Sequence, residues 1–269
     1  MTDRHVHRQL LQRVGLLELA RETRGLISSV PWLRDNWRFW LRGALDDLPI
    51  PPLRLVRSST GTSSLRWLFD GGVLAANSIK DLLIRNKVEI GTLGSILDFG
   101  CGCGRVTRQW ARLPAAIHGC DYNREPIRWC QRNLTFGTFI ANDLNPPLPF
   151  GSSQFDLVYA LSVFTHLPET MSSAWLGEIR RVMKRGGWLI LSTHGEAYLG
   201  DLSAEQQREF QADHAVVKHA ESAGTNLCGV YFSERYLRQR FANGFNVVDF
   251  VPQGAKGNPI QDLVLLQKT

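Results

Sequence analysis

The chain has 269 residues, of which 43% are hydrophobic and 21% are charged, and its formal net charge is +6. This is the composition of an ordinary globular protein, and no apolar run is long enough to span a membrane. The basic start lacks a signal-peptide pattern, and the five cysteines, an odd number, argue for reduced thiols rather than disulfides. We therefore expect a cytoplasmic protein.

Residues 1–60 are predicted to form a helical extension ahead of the main domain, residues 61–269. Apolar side chains at helical spacing predict a helix over residues 4–24, and a second helical stretch carries Trp37 and Trp40 among arginines. The extension holds ten arginines and six acidic residues. A solvated helical face explains this charge better than an anionic partner does. Three roles stay open for it, namely a lid, a homodimer contact through its helices, and a surface for another partner.

Strands and helices alternate from residue 94 onwards, after a predicted helix over residues 72–86. This alternation predicts an α/β fold with a mainly parallel sheet that helices cover on both faces. Only residues 252–261 separate the last two strands, so these two must be antiparallel neighbours. The predicted strands are 95–99, 116–120, 136–140, 155–160, 187–192, 246–251 and 262–266. The predicted helices between them are 104–113, 124–133, 171–183 and 233–242.

A glycine-rich string follows the first predicted strand, where residues 95–106 read Ser-Ile-Leu-Asp-Phe-Gly-Cys-Gly-Cys-Gly-Arg-Val. Gly100, Gly102 and Gly104 allow a tight turn and a close approach of a ligand to the backbone. The dinucleotide fingerprint Gly-x-Gly-x-x-Gly fails in both frames, since the third glycine would fall on Arg105 or Thr107. Asp98 places a negative charge where a phosphate would be repelled. These features predict a cationic, nucleotide-like ligand.

Two further acids lie at the ends of the next two predicted strands. Asp121 lies 17 residues past Gly104, close to the spacing at which an acid accepts hydrogen bonds from ribose hydroxyls in doubly wound folds. A carboxylate suits this role because it can accept two hydrogen bonds at once. Asp143, at the end of the third strand, is placed to accept a hydrogen bond from an adenine amino group.

Together, these units resemble the class I S-adenosylmethionine-dependent methyltransferases over residues 55–269. The resemblance implies a Rossmann-like sheet of seven strands in the order 3-2-1-4-5-7-6, with strand 7 antiparallel. It also implies S-adenosylmethionine as the cofactor and S-adenosylhomocysteine as the product. Within that family, the run Ser-Val-Phe-Thr-His-Leu and the closing Gln-Asp-Leu-Val-Leu-Leu resemble bacterial small-molecule methyltransferases, which often modify sugars or secondary metabolites.

The resemblance assigns cofactor contacts to strand ends along one edge of the sheet. The methionine part faces Asp98 and the turn, the ribose faces Asp121, and the adenine faces the residues after strands 2 and 3. The predicted cofactor-binding residues are Asp98, Gly100, Cys101, Gly102, Gly104, Asp121, Tyr122, Asn142, Asp143, Leu144, Leu161 and Ser162. In relatives of this kind, the segment around Ser59 and Thr60 reaches over the methionine end. No metal-ligand spacing stands out.

Methyl transfer from a sulfonium is an in-line displacement that depends mainly on alignment. A general base is needed only where the acceptor must lose a proton. His194, His166 and Tyr231 are the candidates, because they follow strands or precede a helix near the carboxyl edge of the sheet. Residues 194–232 are too long for a simple connection, so they form either the acceptor site or a structural cover for the sheet.

The favoured interpretation is an enzyme that methylates a hydroxyl or amine of a small molecule. A nucleic-acid or protein methyltransferase is an alternative that the basic composition allows. However, the sequence Ala160-Leu-Ser-Val lacks the Asn-Pro-Pro-Tyr type of motif that accompanies base methylation, which disfavours nucleic acid as a partner. A cofactor-binding scaffold without catalysis is the third hypothesis, and the intact glycine turn argues against it.

Overall fold

A computed structural model describes residues 32–44, 46–257 and 259–269. The helix predicted over residues 4–24 lies outside this range. The helices are α1 (Leu33–Arg42), α2 (Leu53–Thr60), α3 (Leu65–Arg85), α4 (Arg124–Asn133), α5 (Glu169–Val182), α6 (Ala204–Gln211) and α7 (Glu234–Tyr236). The last of these continues as a π-helical turn, Leu237–Phe241. The strands are β1 (Ser95–Phe99), β2 (Ala116–Asp121), β3 (Gly137–Ala141), β4 (Phe155–Ala160), β5 (Met183–Thr193), β6 (Val216–Lys218), β7 (Gly229–Tyr231), β8 (Phe245–Ala255) and β9 (Gln261–Lys268).

Seven of the strands form one sheet in the order β3-β2-β1-β4-β5-β9-β8. β1 to β5 run parallel, and β9 is antiparallel to both β5 and β8. This confirms the predicted order, with β8 and β9 as the predicted strands 6 and 7. The short connection between β8 and β9 leaves no room for a parallel crossover.

Side chains alternate between two hydrophobic cores on opposite faces of the sheet, as the pleat of a strand requires. On one face, Ile96 of β1 and Ile190 of β5 belong to the cluster that includes Ile79 of α3. On the other face, their neighbours Leu97 and Leu189 belong to the cluster that includes residues of α5. Both faces are therefore buried, which explains why most residues of β1 and β4 are apolar.

Two local predictions need correction. The helix predicted over residues 104–113 is wrong, because only a short 3-10 turn, Thr107–Trp110, forms there. Gly104 has a φ of 77°, a left-handed conformation that cannot lie inside an α-helix, and Pro114 follows closely. The helix predicted over residues 72–86 begins earlier, at Leu65, because Ser64 accepts a hydrogen bond from the Trp67 backbone at 3.1 Å and caps it.

The described part of the N-terminal extension is attached to the sheet domain by buried polar contacts. Asn36 of α1 donates to the Ser63 carbonyl at 2.9 Å and accepts from the Leu65 backbone at 2.8 Å. The side chain of Arg108 is fully buried, forms an ion pair with Asp46 and packs its guanidinium 4.6 Å from the Phe69 ring centroid. These contacts fix α1 and α2 beside the turn that follows β1.

None of the helices in the described ranges combines the length and apolar character that crossing a lipid bilayer requires.

We expect Asp46→Asn to lower the free energy of unfolding by about 3 kcal/mol, because it leaves the charge of Arg108 buried without a counterion. Urea denaturation measures this change. The matched control is Asp70→Asn, which removes the exposed partner of Arg38 and Arg66 and should cost under about 1 kcal/mol. Equal effects of the two substitutions would contradict the prediction.

Candidate functional site

A cavity of about 640 Å³ opens at the carboxyl edge of β1, β2, β4 and β5. In sheets of this type, ligands bind at this edge, where the strand order reverses. Eleven of the twelve predicted cofactor-binding residues line the cavity, together with His166 and His194. The exception among the twelve is Gly104, which does not line it.

The glycine turn after β1 forms one wall of the cavity. Gly102 has a φ of 52°, and a Cβ there would lie 2.8 Å from Ser59, so the position accepts only glycine. Gly104 serves a different purpose, because a Cβ on it would lie 2.6 Å from Leu134 behind α4. The turn therefore approaches Ser59 of the N-terminal segment closely at Gly102 and Leu134 closely at Gly104.

Asp121 ties the end of β2 to this turn. Its Oδ2 atom accepts a hydrogen bond from the Gly102 backbone at 2.9 Å, and its Oδ1 atom accepts one from the Asn123 backbone at 2.8 Å. Burial raises the pKa of Asp121, although these two hydrogen bonds oppose that change. Each oxygen keeps a second lone pair that a ligand hydroxyl can use.

Asp98 forms the buried floor of the cavity at the end of β1. Its Oδ2 atom accepts hydrogen bonds from Thr107 at 2.5 Å and Tyr159 at 2.7 Å, and Trp110 donates to the Tyr159 hydroxyl at 2.9 Å. Burial raises the pKa of Asp98 to about 6, against the lowering effect of the Thr107 and Tyr159 hydrogen bonds. A ligand cation near this carboxylate would remove the cost of burying its charge.

The adenine-side residues predicted from the sequence lie after β2 and β3. Asn142 is buried, and its Oδ1 atom has no hydrogen-bond partner among the described residues. Asp143 is exposed at the rim and lies 3.5 Å from Arg124, while Tyr122 and Leu144 are also exposed at the mouth. The buried acceptor is therefore Asn142 rather than Asp143.

Arg105 is the only cationic side chain among the described residues that line the cavity. Its guanidinium donates to the Gly71 and Gly257 carbonyls, each at 3.0 Å, and lies 5.1 Å from the Trp67 ring centroid. Because these contacts hold Arg105, the three carboxylates of Asp98, Asp121 and Asp143 set the sign of the cavity. This charge favours a cationic ligand and disfavours a pyrophosphate.

His194 and His166 lie at the end of the cavity formed by the segments after β5 and β4. The Nε2 atom of His194 lies 3.0 Å from the Gln261 amide nitrogen, and the Nδ1 atom of His166 lies 2.6 Å from the Cys228 carbonyl. Burial, and secondarily the neighbouring His166, lower the pKa of His194 to about 4. Burial also lowers the pKa of His166, although the Cys228 carbonyl opposes this. Both imidazoles are thus neutral at pH 7.

Tyr231, the third predicted catalytic residue, does not line the cavity. Its ring stacks on His194 with centroids 5.0 Å apart, and the Tyr198 ring also packs on His194, with centroids 4.3 Å apart. Tyr231 belongs to a small core with Leu202, Phe210 and Val216. The structure places it as packing behind His194.

The segment from 194 to 232 contributes part of the cavity wall through residues 224–227. Gly224 donates to the His166 carbonyl at 2.8 Å, which holds this loop beside the second histidine. The segment also contains the hairpin β6–β7, which was not predicted because its three-residue strands are too short for an alternating pattern.

Sequence reasoning missed several lining residues, notably Gln261, Trp175 and Arg105. Trp175 lies in α5, where its spacing predicts only a core position, and its indole donates to the Leu144 carbonyl at 3.1 Å. Gln261 lies at the start of β9, far along the chain from every other lining residue except Pro259. Gln261 lies beside Ser162 after β4 and Ser192 of β5. This position follows only from the antiparallel course of β9.

Residues 97–191 match the family described as "Methyltransferase domain". A malonyl-[acyl-carrier protein] O-methyltransferase of Pectobacterium atrosepticum is 26% identical over 113 residues, which are 42% of this chain and 44% of that protein. A phthiotriol/phenolphthiotriol dimycocerosates methyltransferase of Mycobacterium ulcerans is 34% identical over 99 residues, 35% of each chain. The chain thus spans less than half the length of these curated relatives.

Solved structures share the fold at low sequence identity. A methyltransferase from Mesorhizobium loti superposes with a TM-score of 0.54 at 16% identity, covering 72% of this chain and all of that one. A methyltransferase from Methanosarcina mazei gives a TM-score of 0.51 at 23% identity, covering 69% of this chain and 96% of that one. Both are described as S-adenosylmethionine-dependent, and their likeness confirms the predicted fold class.

The raised pKa of Asp98 predicts a pH-dependent stability. The folded state holds the Asp98 proton more tightly than the unfolded chain does, so its contribution is present below pH 3.8 and is lost as the pH rises through about 6. Relative to the wild type, Asp98→Asn should therefore gain about 2 kcal/mol in free energy of unfolding between pH 4 and pH 7. Urea denaturation of both proteins across this range measures the gain.

Asp156→Asn is a control of opposite sign. Although burial raises the pKa of Asp156, its hydrogen bonds to Lys184 and Ser95 lower the pKa overall. That variant should lose stability relative to the wild type only as the pH rises towards 3.8, and the difference should stay nearly constant between about pH 4 and pH 7. A stability difference between wild type and Asp98→Asn that stayed constant with pH would contradict the assignment.

Proposed function

We propose that this chain is an S-adenosylmethionine-dependent methyltransferase that acts on a hydroxyl or amine of a small molecule, and the match of residues 97–191 to the methyltransferase-domain family supports this. The observation that carries the proposal is the charge of the cavity. Asp98, which is buried, and Asp121, which is half-buried, flank a glycine turn, and Arg105, the one guanidinium among the described lining residues, is held by backbone carbonyls. A nucleoside that carries a sulfonium and an ammonium group matches this pattern.

The residues present fit this cofactor at both ends. The turn of Gly100, Cys101 and Gly102 has no side chain that would obstruct a ligand at the backbone, and Asp98 can pair with an ammonium group. At the other end, Asn142 presents a buried acceptor without a partner, which the amino group of an adenine can satisfy. Asp121 would receive the ribose hydroxyls, and Leu161 and Ser162 would line the pocket between the two ends.

When bound, the cofactor supplies an activated methyl group on sulfur. The protein's contribution is to bind, orient and exclude water, since alignment dominates an in-line displacement. His166 can also accept a proton from the acceptor. Its Nδ1 atom is used by the Cys228 carbonyl, so the neutral ring carries its lone pair on Nε2.

The acceptor is proposed to occupy the end of the cavity beside the two histidines. Trp67, Leu227 and Pro259 line this cavity and give it apolar surface. The names of the relatives, a malonyl-[acyl-carrier protein] O-methyltransferase among them, support oxygen as the methylated atom. The five cysteines are all free and buried, which supports a reducing compartment such as the cytoplasm.

Calorimetry with S-adenosylmethionine and S-adenosylhomocysteine, followed by a metabolite screen for S-adenosylhomocysteine release, tests the proposal. We expect both cofactor forms to bind. We also expect S-adenosylhomocysteine release to accompany a product that is about 14 Da heavier than the acceptor per methyl group. No binding of either form would overturn it. Binding with turnover only on nucleic acid or protein would overturn the small-molecule assignment.

We expect Asp121→Asn to weaken S-adenosylhomocysteine binding by about 10- to 100-fold, because hydrogen bonds to a charged group are lost or weakened. Isothermal calorimetry measures the change. Asp249→Asn is the matched control, because Asp249 lies in β8 outside the cavity and pairs with Arg85 of α3. This variant should bind S-adenosylhomocysteine as the wild type does. Unchanged affinity in Asp121→Asn would contradict the ribose assignment.

A further inference from the structure

Three buried or half-buried polar side chains connect the loop after β4 to His194. The Ser162 backbone donates to Ser192 Oγ at 2.7 Å. The hydroxyls of Ser192 and Ser162 both donate to Gln261 Oε1, at 2.6 Å and 2.9 Å. The Gln261 amide nitrogen lies 3.0 Å from His194 Nε2. Gln261 therefore joins the ends of β4, β5 and β9.

The donors and acceptors in this network can be assigned by elimination. Ser192 Oγ accepts from a backbone N–H, which leaves its own proton for Gln261 Oε1. With two hydroxyls donating to Oε1, the Gln261 amide presents its N–H₂ group to His194. An N–H donor needs a lone pair opposite it, so His194 Nε2 carries no proton. The proton of the neutral ring is then on Nδ1.

We propose that Gln261 is a positioning residue that holds His194 as a neutral imidazole with its proton on Nδ1. The ring lone pair of His194 is used within the protein, so His194 does not take the acceptor's proton. The proton acceptor is His166 Nε2, because His166 carries the same tautomer but its Nε2 lone pair does not face the Gln261 amide. This inference rests on the proposed function for the role of His166, but the tautomer of His194 does not depend on it.

The surroundings of His194 favour the same state. The Val230 carbonyl lies near the ring and favours a proton on it. The Nδ1 atom makes no well-aligned hydrogen bond to a described residue. Tyr198 and Tyr231 pack on the ring and limit its rotation. The titratable groups that face His194 are His166, which lowers its pKa, Asp201, which raises it, and the two tyrosines that contact the ring. Gln261 approaches the ring from β9.

Nitrogen-15 NMR of the full-length protein labelled at histidine tests the tautomer directly. Assigned through the His194→Gln spectrum, the wild-type His194 signals should show a protonated Nδ1 and an unprotonated Nε2 at pH 7. A protonated Nε2 on His194 would overturn the proposal. This readout needs neither cofactor nor turnover, so it stands or falls separately from the methyltransferase assignment.

Gln261→Glu tests the positioning role. A carboxylate facing Nε2 attracts a proton there and should raise the pKa of His194 by about 2 or more. The control is Gln267→Glu, the same substitution on β9 at an exposed side chain that donates to the Gly186 carbonyl. It should leave the His194 titration unchanged. Equal titrations of His194 in the wild type and in a folded Gln261→Glu protein would overturn the proposal.

Kinetics separate the two histidines once a turnover assay is established. His194→Gln retains an acceptor for the Gln261 amide and should lower kcat less than His166→Gln does. His166→Gln removes the base and should lower kcat by about 100-fold or more for a hydroxyl acceptor, with loss of the acidic limb of the pH profile. The reverse order of effects, with folding confirmed by circular dichroism, would overturn the assignment.

Discussion

The buried carboxylate of Asp98 is the group on which the geometry of this site depends. It lies at the end of β1, where desolvation penalises its charge and raises its pKa to about 6. Thr107 and Tyr159 offset part of that cost, and Tyr159 is itself held by Trp110. A protein that keeps an acid in such a position gives up stability near neutral pH, and a cationic ligand restores it.

The glycine turn is the second part of the same arrangement. Asp121 binds the Gly102 backbone, so the acid that would receive a ribose also shapes the loop that would face the methionine end. Ser59 of α2 packs against this loop from the other side. The N-terminal segment is therefore part of the cavity wall, and Arg108 fixes it there through Asp46. Site and extension are coupled through one turn.

The hydrogen-bond partners of His166 and His194 explain why the two rings differ in the availability of their lone pairs. His166 donates to a carbonyl, which can only accept, and His194 faces an amide whose oxygen is already used by two serines. Both rings thus carry their proton on Nδ1, but the Nε2 lone pair of His194 faces the Gln261 amide whereas that of His166 stays available to a ligand. Residue type and position along the chain predict both as candidate bases, yet neither property distinguishes them.

The sequence by itself determined the strands of the main sheet, the glycine turn, the acids at successive strand ends and the antiparallel last strand, because these depend on local periodicity and on connection lengths. The order of the strands came from the family resemblance. Eleven of the twelve residues that the sequence predicted to bind the cofactor line the cavity. It did not predict the unwound helix after Gly104, the hairpin β6–β7, the packing role of Tyr231 or the contact of Gln261 with His194. The tertiary structure decided these. The strands of the hairpin are too short to show a pattern of their own, and a Cβ at Gly104 would clash with Leu134. Tyr231 and Gln261 meet His194 from distant parts of the chain, so the free energy of burying them belongs to the assembled sheet rather than to any local segment.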